Sequence, residues 1–180
     1  MAPNLTDSET QMPNNHGVRP AALRAGKSPL IALIQRVTRA NVSVNGEIVG
    51  EIERGILALI GVRKGDDQSS ATRLLERVLA YRIFPDAQDR MNLSVQDIPN
   101  GGLLLVPQFT LAADTQKGSR AGFSTAAPPE VARGLFEYLL GQAKKTQLSV
   151  SSGIFGANMQ VALVNDGPVT FWLETPVPTP

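Results

Sequence analysis

From Leu30 onward the chain is a series of short apolar runs separated by turn residues, a pattern that predicts β-strands. The first predicted strands cover residues 31–37, 41–46, 47–52 and 56–62. Asn45-Gly46 predicts a hairpin turn, because both residue types tolerate a positive φ, and Arg54-Gly55 predicts another turn. Later strands are predicted at 102–106, 157–164 and 168–173.

Two segments instead show apolar residues at helical spacing. Asp66 or Asp67 is predicted to cap the first helix. Its predicted apolar face consists of Leu74, Leu75, Val78, Leu79 and Ile83. The second helix is predicted to open at Pro128-Pro129, since proline is favoured in a first turn. Its predicted apolar face consists of Val131, Leu135, Phe136, Leu139, Leu140 and Ala143.

These elements predict one α+β domain over residues 30–175, with mainly antiparallel strands in a barrel-like sheet and two helices. Residues 1–29 are polar, rich in Pro and Asn and without periodicity, so we predict a disordered N-terminal extension. Residues 176–180 are predicted to form a flexible tail. We interpret Phe123 and Phe155, like Phe136, as core residues rather than platforms for base stacking.

The single histidine, His16, falls within the predicted extension, and the chain has no cysteine. A folded domain without either residue type cannot use a Ser-His-Asp triad, a His general base, a thiolate nucleophile or a His/Cys metal site. Any chemistry must then rely on carboxylates, hydroxyls, amides, the backbone or the substrate itself. We therefore expect neither a cofactor nor a metal site.

Charge and hydropathy limit the partners and the cellular compartment that we expect for this protein. The formal net charge of +1 gives no global basic field, so nucleic-acid binding would need a local patch. No apolar run approaches the roughly 20 residues of a membrane span. Asp7 and Glu9 make the N-terminal stretch a poor transit peptide. Because the absence of cysteine is compatible with a reducing compartment, we predict a cytoplasmic protein with no membrane partner.

The first stretch that could carry chemistry is Val-Pro-Gln-Phe-Thr-Leu-Ala-Ala-Asp, residues 106–114. Strand alternation would place Gln108 and Thr110 on one face and Phe109 on the other. A plain strand end with a polar face explains the pattern. The functional alternative is a site where the Gln amide, the Thr hydroxyl and exposed backbone N–H groups converge to stabilise an oxyanion.

The second stretch is Asn165-Asp166-Gly167-Pro168-Val169-Thr170, between two strand-like runs. Asn-Asp-Gly is typical of a hairpin turn, but the proline removes a backbone donor where the returning strand should begin to pair. An ordinary turn with a trans X-Pro bond remains one interpretation. The other is a rigid backbone wedge, with a cis bond, whose carbonyls contact a ligand.

Taken together, these stretches resemble the D-aminoacyl-tRNA deacylase family, which carries Ser-Gln-Phe-Thr-Leu-x-Ala and, near the C-terminus, Asn-x-Gly-Pro-x-Thr. The similarity extends to ALIQRVTRANVSVNGE, RVLAYRIFPDAQDRMNLSV and MQVALVNDGPVTFWLE, and so covers about residues 30–175. The resemblance implies an ester hydrolase that removes D-amino acids, and glycine to some degree, from tRNA as a proofreading step in translation. It also implies a homodimer.

In this family the Gly-Pro of one subunit, in the cis form, reaches into the active site of the other. Carried over, the carbonyls of Gly167 and Pro168 would hold the substrate's α-amino group and leave no space for an L-side chain. The resemblance also implies a substrate-binding set completed by Asn165, Thr170, Arg36, Phe155 and Met159. Arg36 would brace the wedge, whereas Phe155 and Met159 would line a pocket.

The implied catalytic residues are Gln108, Phe109 and Thr110, with the N–H groups of Phe109 and Thr110 in the oxyanion role. The 2′-hydroxyl of the terminal adenosine would assist hydrolysis in place of a side-chain base. The chain departs from the family at Pro107, which stands where the pattern has Ser. Two alternatives therefore stay open: an editing deacylase with relaxed or L-alanyl specificity, and a nucleic-acid-binding dimer without turnover.

Overall fold

The structure is a computed structural model that describes residues 29–116 and 118–175. Apart from Pro29, the predicted N-terminal extension lies outside the described residues, as does the predicted tail. The strands are β1 (Ile31–Val44), β2 (Glu47–Ile52), β3 (Gly55–Gly61), β4 (Phe84–Pro85), β5 (Met91–Leu93), β6 (Gly102–Pro107), β7 (Ser149–Ser152) and β8 (Gln160–Glu174). The helices are α1 (Gln68–Ala80) and α2 (Pro129–Ala143). None of the helices in this described part is long and apolar enough to cross a membrane.

The strands confirm the predicted α+β class. The main sheet runs in the order β2-β1-β3-β6-β7, and β8 pairs with the other side of β1. The pairings of β1 are antiparallel, whereas β3, β6 and β7 run parallel to one another. Gly50 of β2 packs against the backbone of Ser152 in β7, so the sheet nearly closes into a barrel.

The prediction of separate strands at 31–37 and 41–46 is wrong, because β1 is continuous. Its first half pairs with β3, its second half pairs with β2, and both halves pair with β8. The predicted hairpin turn is confirmed at Asn45 and Gly46, whose φ angles of 53° and 85° suit the right-handed twist of the joined strands.

The prediction of two strands joined by a turn near the C-terminus is also wrong. Asn165 pairs with Val37 and Thr170 pairs with Gln35, so β8 continues along β1 past both sides of the motif. Between these pairs, residues 166–169 of β8 oppose Arg36 alone. The motif is therefore an outward bulge in one long strand rather than a reversal of the chain.

Both helices form where apolar spacing predicts them. Asp67 is the cap of α1, since its side chain accepts from the Ser70 N–H at 2.8 Å. Ile83, predicted on the α1 face, is buried but lies beyond the end of the helix. Val131 was wrongly predicted on the buried face of α2: it is 43% exposed, and its neighbour Ala132 is buried instead.

Alternation along β1, β3 and β6 divides the interior into two clusters. Outward-facing residues such as Ile56 and Leu105 pack under α1 and α2. Inward-facing residues such as Leu57 and Val106 fill the barrel together with Met159. The carboxyl ends of the parallel strands β3 and β6 lie at one edge of this double-layered core, and there the first motif leaves the sheet.

Candidate functional site

The first motif begins where β6 ends. Pro107 is the last residue of the strand, and the Gln108 N–H donates to the Ile60 oxygen at 2.8 Å. The chain then turns into a short 3₁₀ helix, Phe109–Ala112. Strand alternation is therefore the wrong basis for placing Gln108 and Thr110 together. Their side chains nonetheless meet, because the helical turn brings the Gln108 amide to 2.5 Å from the Thr110 hydroxyl oxygen.

This turn exposes two kinds of hydrogen-bonding group. The N–H groups at the start of a helix have no carbonyl one turn earlier to accept them, and here they belong to Phe109 and Thr110. The Thr110 hydroxyl accepts from Gln108, which leaves its own proton available to a ligand. Thr110 lies at the surface, and no described residue is a histidine that could activate it as a nucleophile.

The second motif is a wedge of backbone in the β8 bulge. The Gly167–Pro168 bond is cis, and Gly167 has a φ of 129°, which strongly favours glycine. The Arg36 side chain donates from Nε to the Asp166 backbone oxygen at 3.1 Å and from Nη1 to the Ile83 oxygen at 2.7 Å. It also forms an ion pair with Asp166 Oδ2 at 3.0 Å.

Side-chain hydrogen bonds of Asn165 connect the two ends of the bulge. Asn165 accepts from the Val169 N–H through Oδ1 and donates from Nδ2 to the Thr170 hydroxyl oxygen, both at 2.9 Å. Gln35 on β1 donates to the same oxygen at 3.4 Å. Asn165 and Thr170 are thus engaged with each other and with the backbone that carries Gly167 and Pro168.

The two motifs do not meet within one chain. The wedge lies on β8, and the Gln108–Thr110 pair follows β6, with β1 and β3 between them. Three strand spacings of about 4.8 Å place them about 14 Å apart across the sheet, before any distance along the strands is added. A single chain therefore presents two separate halves of the expected site.

Two cavities flank Phe109 beside the first motif. The smaller, of about 230 Å³, is lined by Gln108, Met159 and Val161 among others. The larger, of about 530 Å³, is lined by Phe155, Phe123 and Lys64 together with the apolar start of α2. Both cavities are lined by Pro107, Phe109 and Gly156, which therefore form the wall between them. Phe155 lines only the larger cavity and Met159 only the smaller one.

Phe123 was wrongly predicted to be a core residue. It is 45% exposed, and its ring centroid lies 5.1 Å from that of Phe109. Phe155 is half-buried, with the Arg133 guanidinium 4.8 Å above its ring. The sequence offered one signal for the exposure of Phe123, namely its place in a polar segment after Gly122, which breaks the helical and strand periodicities.

Shifted pKa values in the described residues lie away from both motifs. Burial raises the pKa of Asp66 from 3.8 to about 6, although the N–H and the charge of Arg63 oppose the shift. Hydrogen bonds from Asn92 and the backbone lower the pKa of Asp86, and those from Ser94 lower the pKa of Asp97. No set of three His, Cys, Asp or Glu residues in the same described part could hold a metal ion.

Comparison with known proteins decides the family. The sequence profile of the D-Tyr-tRNA(Tyr) deacylase family matches residues 33–174. A D-aminoacyl-tRNA deacylase of Thioalkalivibrio sulfidiphilus is 60% identical over 149 residues, which cover 83% of this chain and 99% of the relative. The Citrobacter koseri deacylase is 56% identical over 81% of this chain and 99% of its own length. The chain belongs to the D-Tyr-tRNA(Tyr) deacylase family.

Two solved structures share the fold of this chain. A structure described as c-Myc DNA Unwinding Element Binding Protein has a TM-score of 0.76 at 40% identity, covering 81% of this chain and 99% of its own. A probable eukaryotic D-amino acid tRNA deacylase has a TM-score of 0.70 at 16% identity with the same coverage, and this likeness concerns the fold alone. Both motifs of the chain therefore lie within a fold that these two structures share.

Proposed function

We propose that the chain is a homodimeric deacylase that hydrolyses the ester bond of D-aminoacyl-tRNA and, more slowly, of glycyl-tRNA on a non-cognate tRNA. The products are the free amino acid and intact tRNA, which makes the reaction a proofreading step in translation. One observation carries the proposal: in a chain of this family, Gly167-Pro168 forms a rigid backbone wedge that Arg36 and Asn165 brace from two sides.

The enzyme distinguishes D- from L-amino acids by steric exclusion of the L-side chain. The carbonyls of Gly167 and Pro168 bind the α-amino group of the substrate, and the surrounding backbone occupies the space that an L-side chain would need. Backbone suits this role because it cannot rotate away as a side chain can. Glycine has no side chain to exclude, so its ester enters the site but gains no contacts from a side chain.

Hydrolysis takes place beside Gln108 and Thr110. The oxygen of a water molecule adds to the ester carbonyl carbon, while the N–H groups of Phe109 and Thr110 stabilise the oxyanion that forms. The bond to the ribose oxygen then breaks, and that oxygen takes up the proton that the attacking water has lost. Because no histidine among the described residues lies beside Thr110, this residue positions the substrate through its hydroxyl, and the terminal 2′-hydroxyl assists the proton transfer.

The separation of the two motifs supports the proposed dimer. Among the described strands β8 pairs only with β1, so its outer edge is unpaired, and it exposes Val164 and Trp172. A partner docked along this edge covers these side chains and carries its wedge to the first motif of the other subunit. Each active site then combines Gln108 and Thr110 of one protomer with Gly167 and Pro168 of its partner.

The smaller cavity receives the terminal nucleoside of the tRNA. It opens next to Gln108 and is closed by Met159, so a ribose held there has its ester at the Gln108–Thr110 pair. Pro107 contributes only its ring to this wall, since it has neither a hydroxyl nor an N–H group. The terminal adenosine is therefore held by packing at a position where the family pattern supplies a serine.

Release of D-tyrosine, L-tyrosine and glycine from matched charged tRNAs tests the proposal, with the enzyme titrated over several decades of concentration. We expect rapid release of D-tyrosine, slower release of glycine and no release of L-tyrosine. No release from any of the three would contradict a deacylase function. Comparable L-tyrosine release would favour the second candidate, an editing enzyme with relaxed chirality, which the absence of the serine at Pro107 motivates.

A further inference from the structure

The larger cavity beside Phe109 has no role in the reaction described above. It lies across the Phe109 ring from the Gln108–Thr110 pair, and its walls come from the segment around Phe123, the start of α2 and Phe155. We propose that this cavity binds the unpaired nucleobase that precedes the terminal nucleoside of the tRNA, with Lys64 and Arg133 facing its phosphates. The inference rests on the proposed function, because it extends the same substrate by one nucleotide.

The lining of the cavity suits the face of a nucleobase. Phe109 and Phe123 are 60% and 45% exposed, which is unusual for phenylalanine and leaves their ring faces open to a ligand. The rings are tilted by 46° to each other, so that they flank an opening rather than stack on one another. Aromatic side chains of this kind hold single-stranded nucleic acid by stacking, whichever base is present.

The position of Phe123 is fixed by the backbone on both sides. Gly122 and Asp114 exchange two hydrogen bonds of 2.7 and 2.9 Å, which close the polar segment just before the ring. After the ring, the Lys64 N–H donates to the Thr125 oxygen at 3.0 Å, and the Thr125 hydroxyl donates to the Ala112 oxygen. A ring that is both exposed and held in this way is preorganised for a ligand.

Charge favours a nucleotide over the side chain of the amino acid. Lys64 lines the cavity with its side chain at the surface, and Arg133 lies exposed over the Phe155 ring. Two cations at the rim of an aromatic cavity complement the phosphates on either side of a nucleobase. The neutral phenol of a tyrosine substrate carries no negative charge for them to complement.

The placement is consistent with the course of the tRNA chain. The smaller cavity holds the terminal nucleoside, and Pro107, Phe109 and Gly156 are shared by both cavities. Moving back one nucleotide from the ester therefore crosses the Phe109 ring and enters the larger cavity. Lys64 and Arg133 then lie beside the negatively charged phosphates of the tRNA backbone.

Substrate truncation tests the proposal. The kcat and KM of the full-length wild-type and Phe123→Ala enzymes are measured on D-tyrosyl-tRNA and on the D-tyrosyl ester of adenosine, which lacks the preceding nucleotide. We expect Phe123→Ala to raise KM for the tRNA substrate roughly tenfold or more, with kcat nearly unchanged and no effect on the adenosine ester. Phe123→Trp should restore the KM, because it retains a stacking face.

The cations are tested by the salt dependence of kcat/KM on the tRNA substrate. Lys64→Gln should reduce the slope of log kcat/KM against log salt by about 0.7, the value for one phosphate contact on a single strand. Lys144→Gln is the matched control, because Lys144 lies at the other end of α2, about 20 Å away, and should leave the slope unchanged.

Three outcomes would overturn the proposal. If Phe123→Ala weakened the reaction equally on the tRNA and on the adenosine ester, Phe123 would not bind the preceding nucleotide. It would then contact the terminal nucleoside or no nucleotide at all. A loss with D-tyrosyl-tRNA but not with glycyl-tRNA would assign the cavity to the amino-acid side chain. No loss on any substrate, with the melting temperature unchanged, would show that the cavity takes no part in binding. Inactivity of the wild-type enzyme on every substrate would instead refute the proposed function.

Discussion

Arg36 holds Asp166 at two points, donating from Nε to its backbone oxygen at 3.1 Å and pairing with its carboxylate at 3.0 Å. The same guanidinium reaches the Ile83 oxygen at 2.7 Å, so it ties the wedge to the segment that follows α1. Its side chain is only 12% exposed, and these contacts are therefore shielded from competing water. A planar fork with several donors suits this position in a way that a single ammonium group does not.

We therefore predict that Arg36→Lys lowers the ratio of kcat/KM for D-tyrosyl-tRNA to that for L-tyrosyl-tRNA by roughly tenfold, about 1.4 kcal/mol in transition-state discrimination. The ammonium keeps the charge but cannot bind Asp166 and Ile83 at once. Arg39→Lys is the control, since Arg39 is an exposed residue on the same strand. An unchanged ratio in Arg36→Lys would mean that the wedge keeps its position without this brace.

Gly167→Ala should abolish most of the activity while the fold survives. A Cβ on Gly167 would lie 2.6 Å from Val169 Cγ2 and 3.1 Å from Arg36 Nη2, and its φ of 129° is unfavourable for alanine. We expect kcat/KM on D-tyrosyl-tRNA to fall roughly 100-fold, as for a catalytic group displaced by about 1 Å. The circular dichroism spectrum should be unchanged.

Gly141→Ala is the control for Gly167→Ala, because it makes the same substitution at a glycine outside the wedge. Gly141 lies within α2, and a Cβ there would meet nothing within 4 Å. Alanine at a helical position of this kind should raise the free energy of unfolding by roughly 0.5–1 kcal/mol, without effect on activity. A comparable activity loss in both variants would assign the effect of Gly167→Ala to something other than the wedge.

Gln108 and Thr110 should act as one unit. Thr110→Val keeps the shape of the side chain and removes the hydroxyl that accepts from the Gln108 amide. We expect losses in kcat/KM of roughly 100-fold for Thr110→Val and for Gln108→Leu alike, and the double variant should be little worse than either. Single-turnover hydrolysis of D-tyrosyl-tRNA measures all three. Additive losses would show that the two side chains act independently.

Trp172 offers a test of the dimer. It is 46% exposed on β8, the strand with an unpaired edge, and its neighbour across the ladder is the half-buried Leu33. Trp172→Glu should shift the protein to a monomer in size-exclusion chromatography with light scattering, and activity should be lost with it, because the wedge acts across the interface. Met91→Glu is the matched control on a short hairpin away from β8. A fully active monomer would contradict the cross-subunit mechanism.

The strength of local signals explains how much of the fold could be predicted. The Asn45-Gly46 turn and the cap of α1 depend on neighbouring atoms, so the sequence predicted the turn and limited the cap to Asp66 or Asp67. The continuity of β8 was missed, because it depends on pairing with Val37 and Gln35, more than a hundred residues earlier. The end of the strand near Pro107 was predicted, but strand periodicity gave no sign of the 3₁₀ helix that follows it.

The candidate site was predictable only as two separate pieces. The residue types of the two motifs predicted an amide, a hydroxyl and a rigid backbone turn. No sequence pattern indicates that β1 and β3 lie between the two motifs in the sheet. Phe123 was placed in the core because phenylalanine is usually buried, whereas a hydrogen-bonded pair between Asp114 and Gly122 holds it at the surface. Long-range backbone contacts of this kind are specified jointly by distant segments.

Asp66 should make stability depend on pH in an unusual direction. Burial raises its pKa from 3.8 to about 6, so the folded protein loses this proton at a higher pH than the unfolded chain. From about pH 3 to pH 7 the unfolded state is the more ionised one, and the free energy of unfolding should fall as pH rises, by about 3 kcal/mol in total. Below about pH 3 both states are protonated, and the deficit disappears.

Urea unfolding of Asp66→Asn between pH 4 and pH 7.5 measures this effect. The amide oxygen can still accept from the Arg63 N–H, which donates to Asp66 at 2.7 Å, but it carries no charge to bury. We expect the variant to be more stable than the wild type at pH 7, and this advantage should shrink to less than about 1 kcal/mol at pH 4. Asp97→Asn should instead be less stable than the wild type by a nearly constant amount across this range, because hydrogen bonds from Ser94 lower the pKa of Asp97 and its stabilising ionised form is lost only below pH 4. A constant difference between Asp66→Asn and the wild type across this range would show that Asp66 does not titrate there.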